Sequence, residues 1–518
     1  MKKSVILLVV ALCLPMVLLS QTQSQDSIKL TLHDCIVKTL ENNMDITVET
    51  YNPQISESSI GIAKEQYYPQ LGITFDNFRY NTLSNWAVEG TNYLTNQSQF
   101  RMQLSQRFVT GGVLGLSLSS SSVDTTRSLS TVNPTYTGSL RLDLTQPLLK
   151  NFGTGVNKRE IYLAENQLDM SVSGLKTSLI QKIYDIEESY WNLVYAMERL
   201  KVYKSSLEQS QLRHEKSKMG VQIGTQTYSD LIQIETEVAG YENQVISAQL
   251  LVESYEDRIR SIMNLPRERS TFMRQLVPMD APDLDKVSVS FDEAYQTALL
   301  ERPEIALIVK NIENNQLDIG FQKNQLLPQL DLRASLWYPG QSGTRLIYKD
   351  NNPYTGEIIG QIPGGRTDSF RDVFGFEYSN WTFSIDFTLP FQNILSKANL
   401  EKARIEEAKW LDEMKKQEAM IYDEIVNIFR ELRSRDSQIK AATRYRELSE
   451  KKLEIEERKY ELGLVGAEWM LNYQRDVAQA RVDEIRAIID YKVSVASLER
   501  AMGLNLKKNN IKFKKYDM

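Results

Sequence analysis

The stretch Gly61-Ile62-Ala63-Lys64-Glu65-Gln66-Tyr67-Tyr68-Pro69-Gln70-Leu71 returns later in the chain as Gly320-Phe321-Gln322-Lys323-Asn324-Gln325-Leu326-Leu327-Pro328-Gln329-Leu330. The match extends upstream. Residues 31–71 align without a gap on 290–330, with Leu40/Leu299 and Ile46/Ile305 among the identical pairs. A block held at one offset marks an internal duplication. Working outward, each copy continues in the same order. A helical stretch runs into Pro-Gln-Leu, alternating segments follow, and these end at Gln146-Pro147-Leu148 or Leu389-Pro390-Phe391. A very long charged helical stretch comes next, then a Gly-containing break and another helix.

The alternating segments have a period of two. Leu330, Leu332, Ala334 and Leu336 alternate with Asp331, Arg333 and Ser335, and Trp381, Phe383, Ile385 and Phe387 alternate with Thr382, Ser384 and Asp386. In the first copy Leu71, Ile73 and Phe75, then Leu140, Leu142 and Leu144, do the same. One face is apolar and the other wet. A soluble sheet packed on helices would give this pattern too. Arg and Asp at mid-strand, and aromatics near strand ends (Tyr67, Tyr68, Trp337, Tyr338, Tyr378, Trp381), favour a membrane β-barrel. Two further alternating segments, Phe100 to Phe108 and Leu114 to Leu118, flank Gly111-Gly112, which reads as a tight hairpin turn. This hairpin has no counterpart in the second copy. Residues 81–97 and 339–376 read as long loops rich in Asn, Ser, Gly, Tyr and Pro, of the kind that face the cell exterior.

The helical stretches are too long for a compact globule. From Val156 to Lys218 there is no Pro, which predicts a helix of roughly 95 Å, and Ser396 to Leu462 predicts one of roughly 100 Å. Ile183, Ile186, Tyr190, Leu193, Met197, Leu200 and Leu207 lie on a heptad frame, as do Ile421, Ile425, Ile428, Leu432 and Ile439. A second stripe (Ile180, Tyr184, Trp191, Val194) suits a helix with neighbours on both sides, as in a tube. Shorter helices over 44–67 and 225–264, and over 303–326 and 467–502, stack end to end beside each long one. A few strands per chain cannot enclose an open lumen, so several chains must share one barrel.

Composition fits this reading. The 518 residues contain only 24 Gly and 14 Pro, as long unbroken elements require. A net charge of −6 removes the drive for generic nucleic-acid binding. Two Cys and two His argue against a disulfide framework, a zinc site or His-based catalysis. No Ser/His/Asp set or phosphate-binding loop stands out, so no catalytic residue, metal or cofactor is expected. Met1-Lys2-Lys3 and the apolar run Ser4 to Leu19 read as a secretory signal, residues 1–21, cut near Ser20 or Gln21; an uncleaved anchor or a lipidated Cys13 are the alternatives. The division that follows is a first repeat over 22–265, with strands about 70–148 and a helical hairpin about 153–264. A linker over 266–288 joins it to a second repeat over 289–503, with strands about 329–390 and a hairpin about 393–502. A tail covers 504–518.

In this order and spacing the chain resembles the TolC/OprM outer-membrane efflux family over nearly its whole mature length. The marks are the duplication, Pro69 and Pro328 leading into the strands, Pro147 and Pro390 leading out, and the Gly turns between helices. Gly224-Thr225-Gln226-Thr227-Tyr228-Ser229-Asp230 looks like the family's periplasmic tip, and Glu461-Leu462-Gly463-Leu464 like its Val-Gly-Leu motif with Leu462 in place of Val. The resemblance implies an α+β membrane protein: a homotrimer whose strands form one outer-membrane β-barrel continuous with a periplasmic α-helical barrel. It implies an equatorial belt from 266–288 and the tail, and partners in a periplasmic adapter and an inner-membrane pump. The family barrel uses four strands per chain, so the extra hairpin at 98–120 departs from it. The implied function is the passive exit duct of a tripartite export system, gated at its tip. A structural envelope-spanning protein without a conduit is the alternative.

The resemblance also points to site residues. Asp230, near Gln226, matches the constriction aspartate. The second repeat has Trp469 and Asn472 there, a departure from the acidic pattern. A solvated residue at a helix start would explain Asp230 equally well, and a core anchor would explain Trp469. Ile223, Gly224, Thr225, Leu462, Gly463 and Leu464 are the candidates for adapter docking, and simple turn chemistry would explain the glycines.

Overall fold

The computed structural model describes residues 27–84, 92–127, 130–266, 274–282, 288–355, 357–462 and 464–511. The signal segment 1–21 with Cys13, the turn residue Gly463, and parts of the linker, the tail and the 81–97 segment lie outside them. The first half runs β1 (Ile28–Leu30), α1 (Leu32–Asn42), α2 (Met44–Glu49) and α3 (Tyr51–Glu65). Strands β2 (Gln70–Leu83), β3 (Asn92–Arg107), β4 (Val113–Thr125) and β5 (Val132–Pro147) follow, then α4 (Thr154–Asn157), α5 (Arg159–Gln222) and α6 (Tyr228–Ile262). After β6 (Leu276–Pro278) the second half repeats the order: α7 (Phe291–Glu301), α8 (Pro303–Gln325), β7 (Gln329–Tyr348), β8 (Ile358–Ile362), α9 (Arg366–Gly375), β9 (Asn380–Thr388), α10 (Ile394–Glu461) and α11 (Ala467–Met502). A last turn, α12 (Asn505–Lys508), closes it.

The two long helices have 64 and 68 residues, about 96 and 102 Å at 1.5 Å per residue. Their length is stable because their stripes are buried. Ile183, Ile186, Tyr190 and Leu193 of α5 are sealed among Ala248, Val252 and Ile259 of α6 and Ala478, Val482 and Ile489 of α11. Ile421, Ile425, Ile428 and Leu432 of α10 are sealed with Ala294, Ala298, Ile305, Ala487 and Leu498. Each long helix meets a short helix from below (α6, α11) and one from above (α3, α8), and α11 also packs on α5. The helix expected over 44–67 is in fact two. Asn43 caps α2 by accepting from the Ile46 amide at 3.1 Å, and α2 and α3 meet at Thr50, whose backbone stays helical (φ −66°, ψ −17°) while Pro53 has no amide to donate to Glu49 O.

Midway along the tube the ends of the repeats are tied together. β1 pairs in parallel with β6. The Asp280 carboxylate accepts from the Tyr190 hydroxyl and the Leu32 amide, each at 2.7 Å. Cys35 is fully buried beside this tie, and burial pushes its thiol up to about 12, so it is an inert core residue.

The strands form one sheet in the order β2-β3-β4-β5-β7, with β9 and β8 both on the far side of β7. β9 pairs with Gln329–Trp337 of β7 and β8 with Arg345–Tyr348, farther from the helices. The extra hairpin is therefore two full wall strands. Its turn closes through Phe108 N–H to Gly112 O at 2.7 Å, with Gly111 at φ +95°. Only a residue without Cβ fits there, since a Cβ would lie 2.4 Å from Asn151 O.

The segment 339–376 is not a plain loop. It continues β7, adds β8, and folds back as α9 across β5 and β7. The small residues Gly138 and Gly340, paired across those strands, make room. A Cβ on Gly340 would sit 1.9 Å from Ser369 O of α9. Gly340→Ala should therefore unseat α9. Limited proteolysis should cut within 349–375 faster than in the parent protein, with the thermal transition of the helical tube unchanged.

Candidate functional site

Two regions can act on a solute: the wall of the sheet and the tip of the helices. Pairing registers put every apolar member of the alternation on one face. Ile73, Met102, Leu118, Leu140 and Tyr338 lie side by side across five strands, and Phe387 of β9 pairs with Leu330. In the single chain Ile73 and Phe387, like Phe75 beside them, are exposed, while Leu118, Leu140 and Tyr338 are half-buried. The opposite face is wet and cross-linked by charge. Arg141 binds Asp143 at 2.7 Å and Ser335 at 3.1 Å, Ser335 donates to Asp143 at 2.6 Å, and Arg333 reaches Asp386 at 3.2 Å. One face suits lipid and the other suits water. The prolines frame this wall. Pro69 and Pro328 precede β2 and β7, Pro147 ends β5, and Pro390 follows β9, all where no ladder donor is needed.

At the tip, α5 turns into α6 through Gly224 at φ +76°. Thr225 N–H donates to Gly220 O at 2.9 Å. Thr227 and Asp230 form a capping box: Thr227 Oγ1 donates to Asp230 Oδ2 at 2.6 Å, and the Asp230 amide donates back at 3.2 Å. Asp230 is thus engaged locally at the start of α6. Gln226 is half-buried and donates to the Tyr460 hydroxyl at 3.0 Å, joining the first tip to the second. Ile234, Met470 and Leu471 pack with Tyr460 to seal that joint. Trp469 is no core anchor. It is 57 % exposed, tilted beside Tyr473 at 6.4 Å, and Asn472 accepts from Arg475. Ile223, Leu462 and Leu464 are 76, 74 and 70 % exposed.

A charged cluster that the sequence does not announce lies above these residues. Arg213 of α5 donates to Gln474 of α11 and stands 3.6 Å from Glu457 of α10. Gln474 also donates to Glu457 at 3.1 Å. Glu237 of α6 is buried and neither of its carboxylate oxygens has a hydrogen-bond partner. It lines a cavity of about 360 Å³ between α6 and α11, with Tyr241, Gln233, Glu468, Asn472 and Arg475. Burial pushes its carboxyl up to about 7, against the pull of Arg213 and Arg475. The one trace in the sequence is spacing: Ile234, Glu237 and Tyr241 follow each other at helical intervals, a carboxylate set in an apolar stripe.

Residues 294–504 match the family model described as outer membrane efflux protein. No curated protein matches the chain. Solved structures do. The CmeC outer membrane channel of Campylobacter jejuni is 16 % identical with a TM-score of 0.65, over 93 % of this chain and 90 % of that one. The outer-membrane channel OprN is 15 % identical with a TM-score of 0.65, over 91 % and 89 %. The MtrE outer membrane channel of Neisseria gonorrhoeae, in its open state, is 16 % identical with a TM-score of 0.59, over 91 % and 88 %.

The raised Glu237 sets a direction for stability. A carboxyl that holds its proton more tightly when folded costs the folded state nothing below its unfolded value near 4.5. The folded state loses stability as pH rises towards about 7. Glu237→Gln should raise the melting temperature at pH 8 and leave it unchanged at pH 4, flattening the melting-temperature profile between.

Proposed function

Because residues 294–504 match the outer membrane efflux protein model and the chain shares the fold of solved outer-membrane channels, we propose that this protein is the outer-membrane exit duct of a tripartite export system. The observation that carries the reading is the two-faced sheet joined without interruption to helices about 100 Å long. The sheet gives lipid an apolar surface and water a charged one. The helices extend that wet path through the periplasm. No helix among the described residues is long and apolar enough to cross a membrane.

A duct performs no bond chemistry. It needs a lined lumen, a constriction and a docking end. Three copies supply the lumen. Asp230, Gln226, Trp469 and Asn472 form the constriction near the tip, and three Asp230 carboxylates favour cations over anions. The Glu457–Arg213–Gln474 tie holds the two helical hairpins of each copy together just above it, so opening must strain or break that tie. Ile223, Leu462 and Leu464, with the turns at Gly224, Thr225 and Gly463, offer apolar knobs to a periplasmic adapter. That adapter brings in an inner-membrane pump, which supplies the energy and selects the cargo.

Purified protein in planar bilayers should carry single-channel current, and Arg213→Ala should raise the open probability by loosening the tie. Absence of current at every pH, with the tip residues 219–232 and 458–472 also deleted, would leave an envelope-spanning structural protein instead. Asp230→Asn keeps an acceptor for the Thr227 cap but removes the charge. It should weaken block by a trivalent cation about tenfold or more, roughly the effect of losing 1.4 kcal/mol of attraction. Unchanged block would remove Asp230 from the constriction.

A further inference from the structure

We infer that three copies close into one barrel of 18 strands, six from each chain, through seams between β9 of one copy and β2 of the next. This goes beyond the four-strand pattern of the resembled family, and it rests on the three-copy assembly proposed above.

Both edges of the sheet are open. Among the described residues β2 has a partner on one side only, and β9 pairs only with β7. Their outward-facing amides and carbonyls lie at the level of the apolar band, where a backbone group has no water to bond to. The chain cannot cover them itself. β2 and β9 are at opposite ends of the order, and β8 sits beyond β9 against Arg345–Tyr348 of β7. Each copy therefore gives the wall β2, β3, β4, β5, β7 and β9. Successive members alternate in direction, with β2, β4 and β7 leading away from the helices and β3, β5 and β9 returning. An even count lets β9 meet the next β2 antiparallel, in the same pattern as every other pair.

The register carries the argument further. Following paired residues across the sheet from Gln70 leads to Ser105, Gly115, Asp143, Ser335 and Thr382. Thr382 stands six residues from Thr388, the helix-side end of β9. The sheet thus climbs about one residue per strand. With strands about 4.8 Å apart and about 3.3 Å per residue, that slope is a tilt of about 35°, which is the tilt of closed barrels. Symmetric copies enter the sheet at one level, which sets Gln70 opposite Thr388 of the next copy. Ile73 then faces Ile385 of the next copy, and Phe75 its Phe383, apolar on apolar. Thr74 meets its Ser384 on the wet face. A slip by one residue would put apolar side chains against polar ones. Eighteen strands at this tilt give a backbone diameter of about 34 Å, against about 23 Å for twelve, and roughly twice the cross-section. The wall then ceases to be the narrow part of the duct.

The test is a cysteine pair across the seam. Full-length protein carrying Thr74→Cys with Ser384→Cys should form covalent dimers and trimers on mild oxidation, since native Cys35 is buried. Partners at Thr382→Cys and Asp386→Cys bracket the register. Native mass spectrometry of the same samples gives the copy number. Cross-linking of a three-copy species supports the seam. A three-copy species that links through none of the three pairs overturns the seam alone. Another copy number overturns the assembly with it. Electron cryomicroscopy should count 18 strands in section, and a count of 12, with the β3–β4 hairpin off the wall, would also overturn the proposal.

Discussion

A peptide group inside hydrocarbon has no water to bond to. That single constraint orders most of this molecule. It forces the membrane part to be a ladder of strands rather than loops, and it puts the prolines where donors are not wanted. It also makes the fold of one chain incomplete by construction. The helices feel no such pressure, because they satisfy their own backbone and need only a dry stripe. Wall and tube therefore obey different rules, and the junction near Asn151, Asn157 and Asn324 is built of amide side chains that bond to backbone on both sides.

Much of the fold was legible because it depends on period and length. Alternation such as Leu330-Asp331-Leu332-Arg333 names a face without reference to any neighbour. The stripe through Ile183, Ile186 and Tyr190 names a second. The places that misread are those where one missing amide or a distant contact decides. The ladder of a helix that propensity alone would carry from Met44 to Gln66 is interrupted at Thr50, because Pro53 has no amide to donate to Glu49 O. The 339–376 segment looks like a loop by composition. It folds as strand and helix because Gly138 and Gly340 leave a seat for α9, a fact spread over two strands 200 residues apart.

The tip was legible only in part. Gly224 and the Thr227–Asp230 cap are local motifs and could be read directly. Glu237, Arg213, Glu457 and Gln474 come from four helices, and no spacing in the sequence joins them. Trp469 illustrates the converse error. A large aromatic near a helix start usually anchors a core, yet here the helix turns it outward and Met470 and Leu471 take the buried places.

The pairing of β1 with β6 has a consequence in time rather than in space. Ile28 precedes its partner Leu276 by nearly 250 residues of chain. Leu32 likewise waits for Asp280. The first half cannot complete its waist until that strand has been made. A chain built this way closes its waist only once the linker has been made, so its two halves are committed to each other before either is finished.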